Sequence, residues 1–450
     1  MKYNWQQQNW PEFTYNTSEL EPIVQKYQQN AYSLLGRLAQ LNLEFQQEAH
    51  ILLIVEEAIN SSEIEGENLN REEVRSSVAR FLGLDVESSS TPHLKEEGIA
   101  ALLINVRESL NQPLNKEKLC YWHKLLLQDD DNARKPVLKG EYRNETVDVI
   151  KDDLYGNIEV VFKAPGTSRN DVAKEMQQFF DWYNATALPN TNESKLSGPV
   201  RAAIAHLWFV SIHPFEDGNG RIGRAIAEHA LYQDFESPPL FSLSATINAN
   251  RKQYYQELQD TNTTLNVSNW VNWFVNITHD AQVLAANKVD FILEKSKFWE
   301  KHQQTELNDR QSKALLKMFA SGPEGFVTDG ISNEKYRAIT GCSLATATRD
   351  LKSLIEKDVL TVEGSGKRNI RYLIKFVENN VFKRTSTLTQ KGNRDKFIDE
   401  TLEKLIINIQ RNMDFHQDKS DPKLLEMIEH YQQLADSNSD ALDKLEDVLT

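Results

Sequence analysis

Cysteine is scarce in this chain, which has only Cys120 and Cys342 among 450 residues. Two distant cysteines exclude a disulfide framework or a cysteine zinc site, and they are typical of a reducing compartment. Basic residues are also the minority, because 51 Lys and Arg stand against 66 Asp and Glu, a formal net charge of -15. This balance argues against a chain-wide nucleic-acid or anionic-membrane surface and leaves room only for a local basic patch.

Long apolar runs are missing as well. No stretch reaches the roughly eighteen apolar residues of a transmembrane helix, and the start, MKYNWQQQNWPEF, lacks the basic flank and apolar run of a signal peptide. We therefore expect a cytoplasmic protein without membrane contact. The hydrophobic share of 40% is that of an ordinary globular protein. The length favours about two to four domains.

Most of the chain repeats apolar residues at intervals of three and four, which predicts a mainly α-helical fold. In the first part, Gly66 would stop one helix, Asn70 is typical of an N-cap, and Gly83 would end the helix that follows. The polar stretch ESSSTPH then resembles an exposed linker. We predict an N-terminal helical region over residues 1–92.

A second region, residues 93–300, combines helices with two short β-prone runs, VDVI and EVVF, which predict a β-hairpin. Over residues 305–378, short helices, a glycine turn, a longer helix and a glycine-tipped hairpin resemble a winged helix-turn-helix domain. An acidic helical tail is predicted over residues 379–450.

The segment HPFEDGNGRIGR, residues 213–224, contains more charge and glycine than a hydrophobic core requires. Pro214 disfavours helical geometry at the preceding residue, so His213 is predicted at a helix exit. Gly218, Asn219 and Gly220 tolerate left-handed backbone, which lets successive N–H groups turn towards one point before a helix resumes. The segment therefore predicts an anion site at a helix N-terminus.

The charged residues of this segment suit phosphate chemistry. Asp217 can hold a divalent cation, and Arg221 and Arg224 can bind phosphate oxygens. His213 can take a proton from an attacking hydroxyl group. A base, a metal ligand and an anion site together favour phosphoryl or nucleotidyl transfer.

The same segment resembles, at every defined position, the signature of the Fic (filamentation induced by cyclic AMP) family, His-Pro-Phe-x-Asp/Glu-Gly-Asn-Gly-Arg-x-x-Arg. The similarity covers roughly residues 1–300, including GEYR at residues 140–143. It implies a Fic-fold helical core with a β-hairpin flap. It also implies transfer of AMP from ATP, with Mg²⁺, to a protein hydroxyl group, and release of pyrophosphate.

The resemblance also assigns roles to individual residues. They are the base His213, the Mg²⁺ ligand Asp217, the packing anchor Phe215, the phosphate cradle Gly218, Asn219 and Gly220, and the phosphate contacts Arg221 and Arg224. The hairpin at residues 146–163 would be the flap that docks the target protein, with Val147 and Val149 nearest the nucleotide. Tyr255 and Asn262 match residues of the family's adenosine pocket.

Three acids, Glu63, Glu65 and Glu67, lie around the predicted end of the second helix, where carboxylates oppose the helix dipole by about 0.3 to 1 kcal/mol each. They could form a solvated acidic helix end. Alternatively, Ser61 to Gly66 resembles the family's inhibitory motif, Ser/Thr-x-x-x-Glu-Gly/Asn. That resemblance implies that Glu65 binds Arg224 in place of the ATP γ-phosphate and autoinhibits the enzyme.

Two further alternatives stay open. The same site could remove AMP from a modified protein, or the chain could be a DNA-binding regulator whose Fic core senses nucleotide. Residues 333–374 contain eight basic residues against five acids, and Arg349, Lys352, Lys367 and Arg368 could contact DNA phosphates. A winged helix used for protein contact or for a homodimer explains these residues equally well.

Overall fold

Helices form most of the protein, as the periodicity predicts. A computed structural model describes residues 2–18, 20–84, 93–128, 137–152, 158–187, 196–233, 241–322, 329–364 and 370–376. The chain divides into two compact units, Met1–Asn379 and Asn380–Thr450, and the second lies outside the described residues, as does the whole of the predicted tail. Across the described ranges, no helix has the length and apolar character needed to cross a membrane.

The N-terminal part begins with a short 3-10 helix, Asn4–Gln6. Three α-helices follow: α1 (Glu21–Leu38), α2 (Leu43–Ile64) and α3 (Arg71–Phe81). The predicted N-cap is confirmed, because the Asn70 side chain accepts the N–H groups of Glu72 and Glu73. The predicted stop is confirmed too, since Gly83 follows α3 with a φ of +74°. The predicted linker lies largely outside the described residues.

The next part is organised around one buried helix. Its helices are α4 (Leu94–Glu108), α5 (Lys116–Leu126), α6 (Arg169–Ala185), α7 (Gly198–Ile212), α8 (Asn219–Gln233), α9 (Leu243–Ala249), α10 (Arg251–Thr261) and α11 (Ser268–Lys301). In α7 every residue except Val210 is buried, which is the pattern of a helix covered on all sides. It packs against α6, α8 and α11. The C-terminus of this central helix and the start of α8 carry the segment singled out above.

The predicted hairpin is present as two antiparallel strands, β1 (Asp148–Asp152) and β2 (Ile158–Lys163). Asp148 pairs with Lys163, and the two side chains form an ion pair of 3.4 Å. The register shifts between Val149 and Ile150. A bulge of this kind bends and twists a strand, so it changes the direction of the hairpin close to its base.

The C-terminal elements of the first unit are α12 (Asp309–Ala320), α13 (Asn333–Thr340), α14 (Leu344–Glu356), β3 (Leu360–Glu363) and β4 (Arg371–Ile374). Their order is the one predicted, and buried Asp350 joins the helices by accepting hydrogen bonds from Arg310 (2.8 Å) and Tyr336 (3.1 Å). Arg349 and Lys352 are exposed on α14, whereas Lys367 and Arg368 lie outside the described residues. The winged helix, its DNA contact and the four-region division stay predictions.

Candidate active site

His213 caps the C-terminus of α7 in left-handed geometry, with φ 52° and ψ 59°. The position agrees with the helix exit predicted from Pro214, and this backbone region is uncommon for a residue with a side chain. The Nδ1 atom lies 3.3 Å from the carbonyl of Val210, which can only accept, so Nδ1 carries the proton. The Nε2 atom is therefore left with its lone pair, as a general base requires.

Burial keeps this imidazole neutral. Desolvation lowers the pKa of His213 to about 4; the positive charge of Arg143 acts in the same direction, and Glu65 and Asp217 act against it. A pKa far below neutrality means that nearly every molecule holds the unprotonated base at pH 7.

The loop after His213 is fixed by its own side chains. Phe215 is fully buried and stacks on His123, with ring centroids 3.9 Å apart. The side chain of Asn219 accepts the Phe215 N–H (3.0 Å) and donates to the Phe215 carbonyl (2.8 Å). The amide of Asn219 thus holds the loop, and only its backbone can serve the predicted phosphate cradle.

The cradle is more helical than the sequence suggests. Gly218 has the left-handed backbone predicted for it, with a φ of +76°, but α8 already begins at Asn219 and includes Gly220. A Cβ atom on Gly220 would collide with Oε1 of Glu65. The absent side chain therefore leaves space above the first turn of α8, where unpaired N–H groups and the helix dipole attract an anion.

Arg224 lies on α8 with its side chain 1% exposed and is held by the end of α2. Its Nη1 donates to Oε1 of Glu65 at 2.8 Å. Its Nε and Nη2 donate to the hydroxyl (3.0 Å) and the carbonyl (2.6 Å) of Ser61. The predicted pair is present, but Ser61 takes the second edge of the guanidinium, so the contact with Glu65 is not bidentate. Burial lowers the pKa of Arg224, but Glu65, Tyr254 and Tyr255 together outweigh burial, so the pKa is raised above its ordinary value.

Gly66 sets the path of this segment. It has a φ of +84°, and the N–H groups of Gly66 and Glu67 donate to Glu63 (2.9 Å) and Ser62 (3.0 Å). This is the Schellman termination of a helix, which needs a residue that accepts left-handed geometry. It allows acids two residues apart to reach different partners on α8.

The second of these acids, Glu67, contacts the first arginine. Nη1 of Arg221 lies 2.5 Å from Oε2 of Glu67, and Nη2 lies 3.5 Å from Oδ2 of Asp217. The Nε atom of Arg221 is buried and has no hydrogen-bond partner among the described residues. An unpaired buried donor beside the cradle is what an absent phosphate group would satisfy.

Asp217 lies two residues before α8, faces Arg221, and has a side chain that is 57% exposed. Its Oδ1 accepts the N–H of Gly218 at 2.6 Å. Within the described ranges, no group of three or more His, Cys, Asp or Glu could hold a metal alone. Mg²⁺ is commonly bound by one or two carboxylates together with substrate phosphates, so a single acid beside a phosphate cradle fits this ion.

The predicted pocket and flap residues contact the end of α2 or belong to or contact the flap. Val147 and Val149 are half-buried at the base of the flap. The Tyr255 hydroxyl donates to the carbonyl of Ile64 at 3.1 Å, and the Asn262 amide donates to the carbonyl of Val161 at 3.3 Å. Tyr255 thus holds the end of α2, and Asn262 holds strand β2.

The roles of three residues of this site were not predicted from the sequence. His123 lies under Phe215, Glu67 binds Arg221, and Arg143 donates to the carbonyl of His213 at 2.8 Å. Arg143 ends the quoted GEYR segment, which was the available signal for it. Glu67 was identified only as one of three acids near the end of the second helix, without a partner.

Comparison with known families agrees with this geometry. A model of the Fic/DOC family matches residues 113–231. The chain contains a Fic/DOC domain. It spans α5 to α8, and therefore His213, the cradle and both arginines. A domain of unknown function, DUF4172, matches residues 3–84 and includes the segment that supplies Glu65 and Glu67.

Relatives of the chain occur among curated proteins. The protein adenylyltransferase Fic of Culex quinquefasciatus is 29% identical over 212 residues, which cover 46% of this chain and 37% of the relative. Its counterpart in Drosophila mojavensis is 29% identical over 202 residues, 44% of this chain and 35% of the relative. The chain thus spans little more than a third of the relatives it matches.

A solved Fic family protein from Desulfovibrio desulfuricans G20 is 20% identical, with a TM-score of 0.45, and the match covers 81% of this chain and 98% of that one.

Proposed function

We propose that this protein is an autoinhibited protein adenylyltransferase. It transfers AMP from ATP to a hydroxyl side chain of a target protein, including its own. The observation that carries the proposal is the meeting of three features at the start of α8: an unprotonated His213, a glycine cradle with Arg221 and Arg224, and Glu65 bound to Arg224. The adenylyltransferases related to this Fic/DOC domain support the same activity.

In the reaction, the target hydroxyl oxygen forms a bond to the α-phosphorus of ATP. The bond between that phosphorus and the oxygen bridging to the β-phosphorus breaks, and pyrophosphate leaves. The hydroxyl proton moves to Nε2 of His213, whose Nδ1–H is already bound to Val210. His213 suits this step because burial keeps it neutral and its ring is oriented before substrate arrives.

The phosphates would be bound by the chain's own groups. The first N–H groups of α8 lack intrahelical partners, as at the start of any α-helix, and Arg221 on this first turn has an Nε without a hydrogen-bond partner among the described residues. Asp217 would hold Mg²⁺, which when bound neutralises phosphate charge that develops on the leaving group.

Glu65 is the proposed inhibitor. Its carboxylate fills the space next to Gly220 and neutralises Arg224, so a nucleotide would have to displace it to place a phosphate there. A charge-assisted hydrogen bond to a buried arginine is among the stronger polar contacts in proteins. ATP could therefore bind in an unproductive position while Glu65 stays in place.

The test is self-labelling with ATP labelled at the α-phosphate. We expect Glu65→Gly to increase labelling and Glu65→Gly with His213→Ala to reduce it by about 10²- to 10⁴-fold, the usual contribution of a positioned base. Glu63→Gly is the matched control, since Glu63 contacts Asn248 (3.0 Å) and neither arginine. Labelling that is unchanged by Glu65→Gly, or that survives without His213, would contradict the proposal.

Removal of AMP by the same site is the second candidate. The Glu65 carboxylate is 31% exposed, so water can reach it beside Arg224. Labelled Glu65→Gly protein, freed of ATP and mixed with unlabelled wild-type chain, distinguishes the two directions. Release of AMP that depends on Glu65 in the wild-type chain would favour removal.

A further inference from the structure

Arg143 is a buried arginine that no step above uses. Its side chain is 1% exposed, and among the described residues it forms no ion pair. A buried cation is unfavourable unless its donors are satisfied. Burial does lower the pKa of Arg143, to about 10, yet the group stays protonated at neutral pH. Its five hydrogen bonds explain why the charge is tolerated.

Two of these hydrogen bonds hold the backbone at His213, the proposed general base. The Nε atom donates to the carbonyl of His213 at 2.8 Å, and Nη2 donates to that of Ile212 at 3.2 Å. The backbone N–H of Arg143 also donates to Pro214 at 2.9 Å. Carbonyls at the C-terminus of a helix lack intrahelical partners and carry partial negative charge. Arg143 therefore stabilises the strained turn on which His213 lies.

The other three bonds hold both ends of the hairpin. Nη1 donates to the carbonyls of Glu145 (2.7 Å) and Gly166 (3.0 Å), and Nη2 donates to that of Pro165 (2.5 Å). Glu145 precedes β1 and Pro165 follows β2. One planar guanidinium thus connects the two ends of the flap to the turn that carries His213, the general base.

We propose that Arg143 is a positioning residue that fixes the flap, and with it the incoming hydroxyl group, at a set distance from Nε2 of His213. The inference rests on the proposed function. Arginine is required because a planar fork with five donors spans carbonyls from separate segments, whereas the three donors of a lysine radiate from one atom. All acceptors are neutral, so geometry rather than charge pairing selects the residue.

The test compares Arg143→Lys and Arg143→Met in the Glu65→Gly background, by self-labelling rate over a range of ATP concentrations. Arg143 forms no hydrogen bond to side chains of the cradle in the described structure, so the half-saturating ATP concentration should change little. The rate at saturating ATP should fall in both variants by about 10- to 100-fold, since a displacement near 1 Å can cost about 10²-fold.

Arg201→Lys is the matched control. Arg201 is equally buried, lies on α7, and donates to the Tyr183 carbonyl (2.8 Å) and the Thr186 hydroxyl (3.2 Å). It is twelve residues, about 18 Å of helix, before His213. We expect it to lower thermal stability without the loss of rate. A wild-type rate in Arg143→Lys, a loss no greater than that of Arg201→Lys, or a proportional rise in half-saturating ATP would overturn the proposal.

The pH profile separates position from charge. Charged groups acting on His213 are Arg143, which lowers its pKa, and Glu65 and Asp217, which raise it. In the Glu65→Gly background, the acid limb of the rate should move to higher pH in Arg143→Met and stay in place in Arg143→Lys. Equal limbs in the two variants would contradict the placement of Arg143 beside the base.

Hydrogen exchange gives a result that does not need activity. Peptides covering residues 158–166 and 210–216 should exchange faster in Arg143→Lys than in Arg201→Lys. Glu65→Gly protein that never labels would refute the proposed function alone. Unchanged exchange in both peptides would refute the role of Arg143, whatever the activity.

Discussion

Ser61 provides two of the three hydrogen bonds that hold Arg224, one through its hydroxyl and one through its carbonyl. The family resemblance implies that the glutamate of this motif binds the arginine. In the structure, however, Glu65 contacts only one nitrogen of the guanidinium among the described contacts. The proposed inhibition would therefore depend on two residues: the carboxylate of Glu65, which a nucleotide phosphate could replace, and Ser61, which fixes the plane of the arginine.

Replacing Ser61 by alanine should partly activate the enzyme. The hydroxyl contact to Nε is lost, while the carbonyl contact and Glu65 remain, so we expect about a threefold to tenfold rise in His213-dependent self-labelling, below that of Glu65→Gly. Ser62→Ala, at the next buried position, is the control. A rate equal to wild type in Ser61→Ala would show that the hydroxyl does not restrain Arg224.

At the scale of elements, the end of α2 places two acids on two arginines of α8. Glu65 binds Arg224 and Glu67 binds Arg221, and the glycine termination at Gly66 directs them apart. Glu67 also lies 3.7 Å from Lys95 of α4, so part of its charge is already balanced. The second pair is therefore expected to inhibit less strongly than the first.

Glu67→Gln tests this element. We expect a smaller rise in labelling than for Glu65→Gly, because Asp217 still contacts Arg221 at 3.5 Å. Glu63→Gln serves as the control acid on the same helix end. Rates of the double variant Glu65→Gly with Glu67→Gln give the coupling between the two pairs. If Glu67→Gln labels no faster than Glu63→Gln, the second ion pair has no inhibitory role.

Local sequence signals predicted the elements and the order of the site, but not its long-range contacts. The helix exit at His213 follows from Pro214 and the N-cap from Asn70, because both effects act on neighbouring residues. The pair of Glu65 and Arg224 spans 159 positions and was expected only through the family resemblance. The contacts of Arg143 could not be predicted even though it belongs to the quoted GEYR segment. Its acceptors are backbone carbonyls, and every residue has one whatever its side chain.

At the scale of the whole molecule, the described core buries two histidines, His206 and His229, that are uncharged at neutral pH. Burial lowers the pKa of His206 and of His229 to about 3. His206 is hydrogen-bonded to Tyr254 (2.8 Å), and His229 is hydrogen-bonded to Tyr183 (2.8 Å) and donates to the carbonyl of Ser109 (3.1 Å). Burial disfavours the protonated ring at both positions, so protonation and folding compete.

The competition predicts acid destabilisation. Between the ordinary histidine pKa of 6.5 and about 3, the unfolded chain binds protons at His206 and His229 that the folded chain cannot bind, so the free energy of unfolding falls as pH falls. Each histidine contributes at most about 1.4 kcal/mol per pH unit. Glu228 opposes this, because burial raises its pKa to about 7 and the folded chain keeps that proton.

A single substitution isolates one of these protons. In His229→Gln, the glutamine can still form a hydrogen bond to Tyr183 or Ser109, but it does not titrate. The dependence of the unfolding free energy on pH, between about pH 5 and pH 6, should therefore decrease by up to about 1.4 kcal/mol per pH unit. Urea unfolding followed by tryptophan fluorescence measures the slope, and the exposed His93→Gln is the control. Because the contribution of Glu228 is common to all three proteins, it cancels in the comparison. Parallel pH dependences in wild type and His229→Gln would mean that folding does not lower the pKa of His229, which would contradict the prediction.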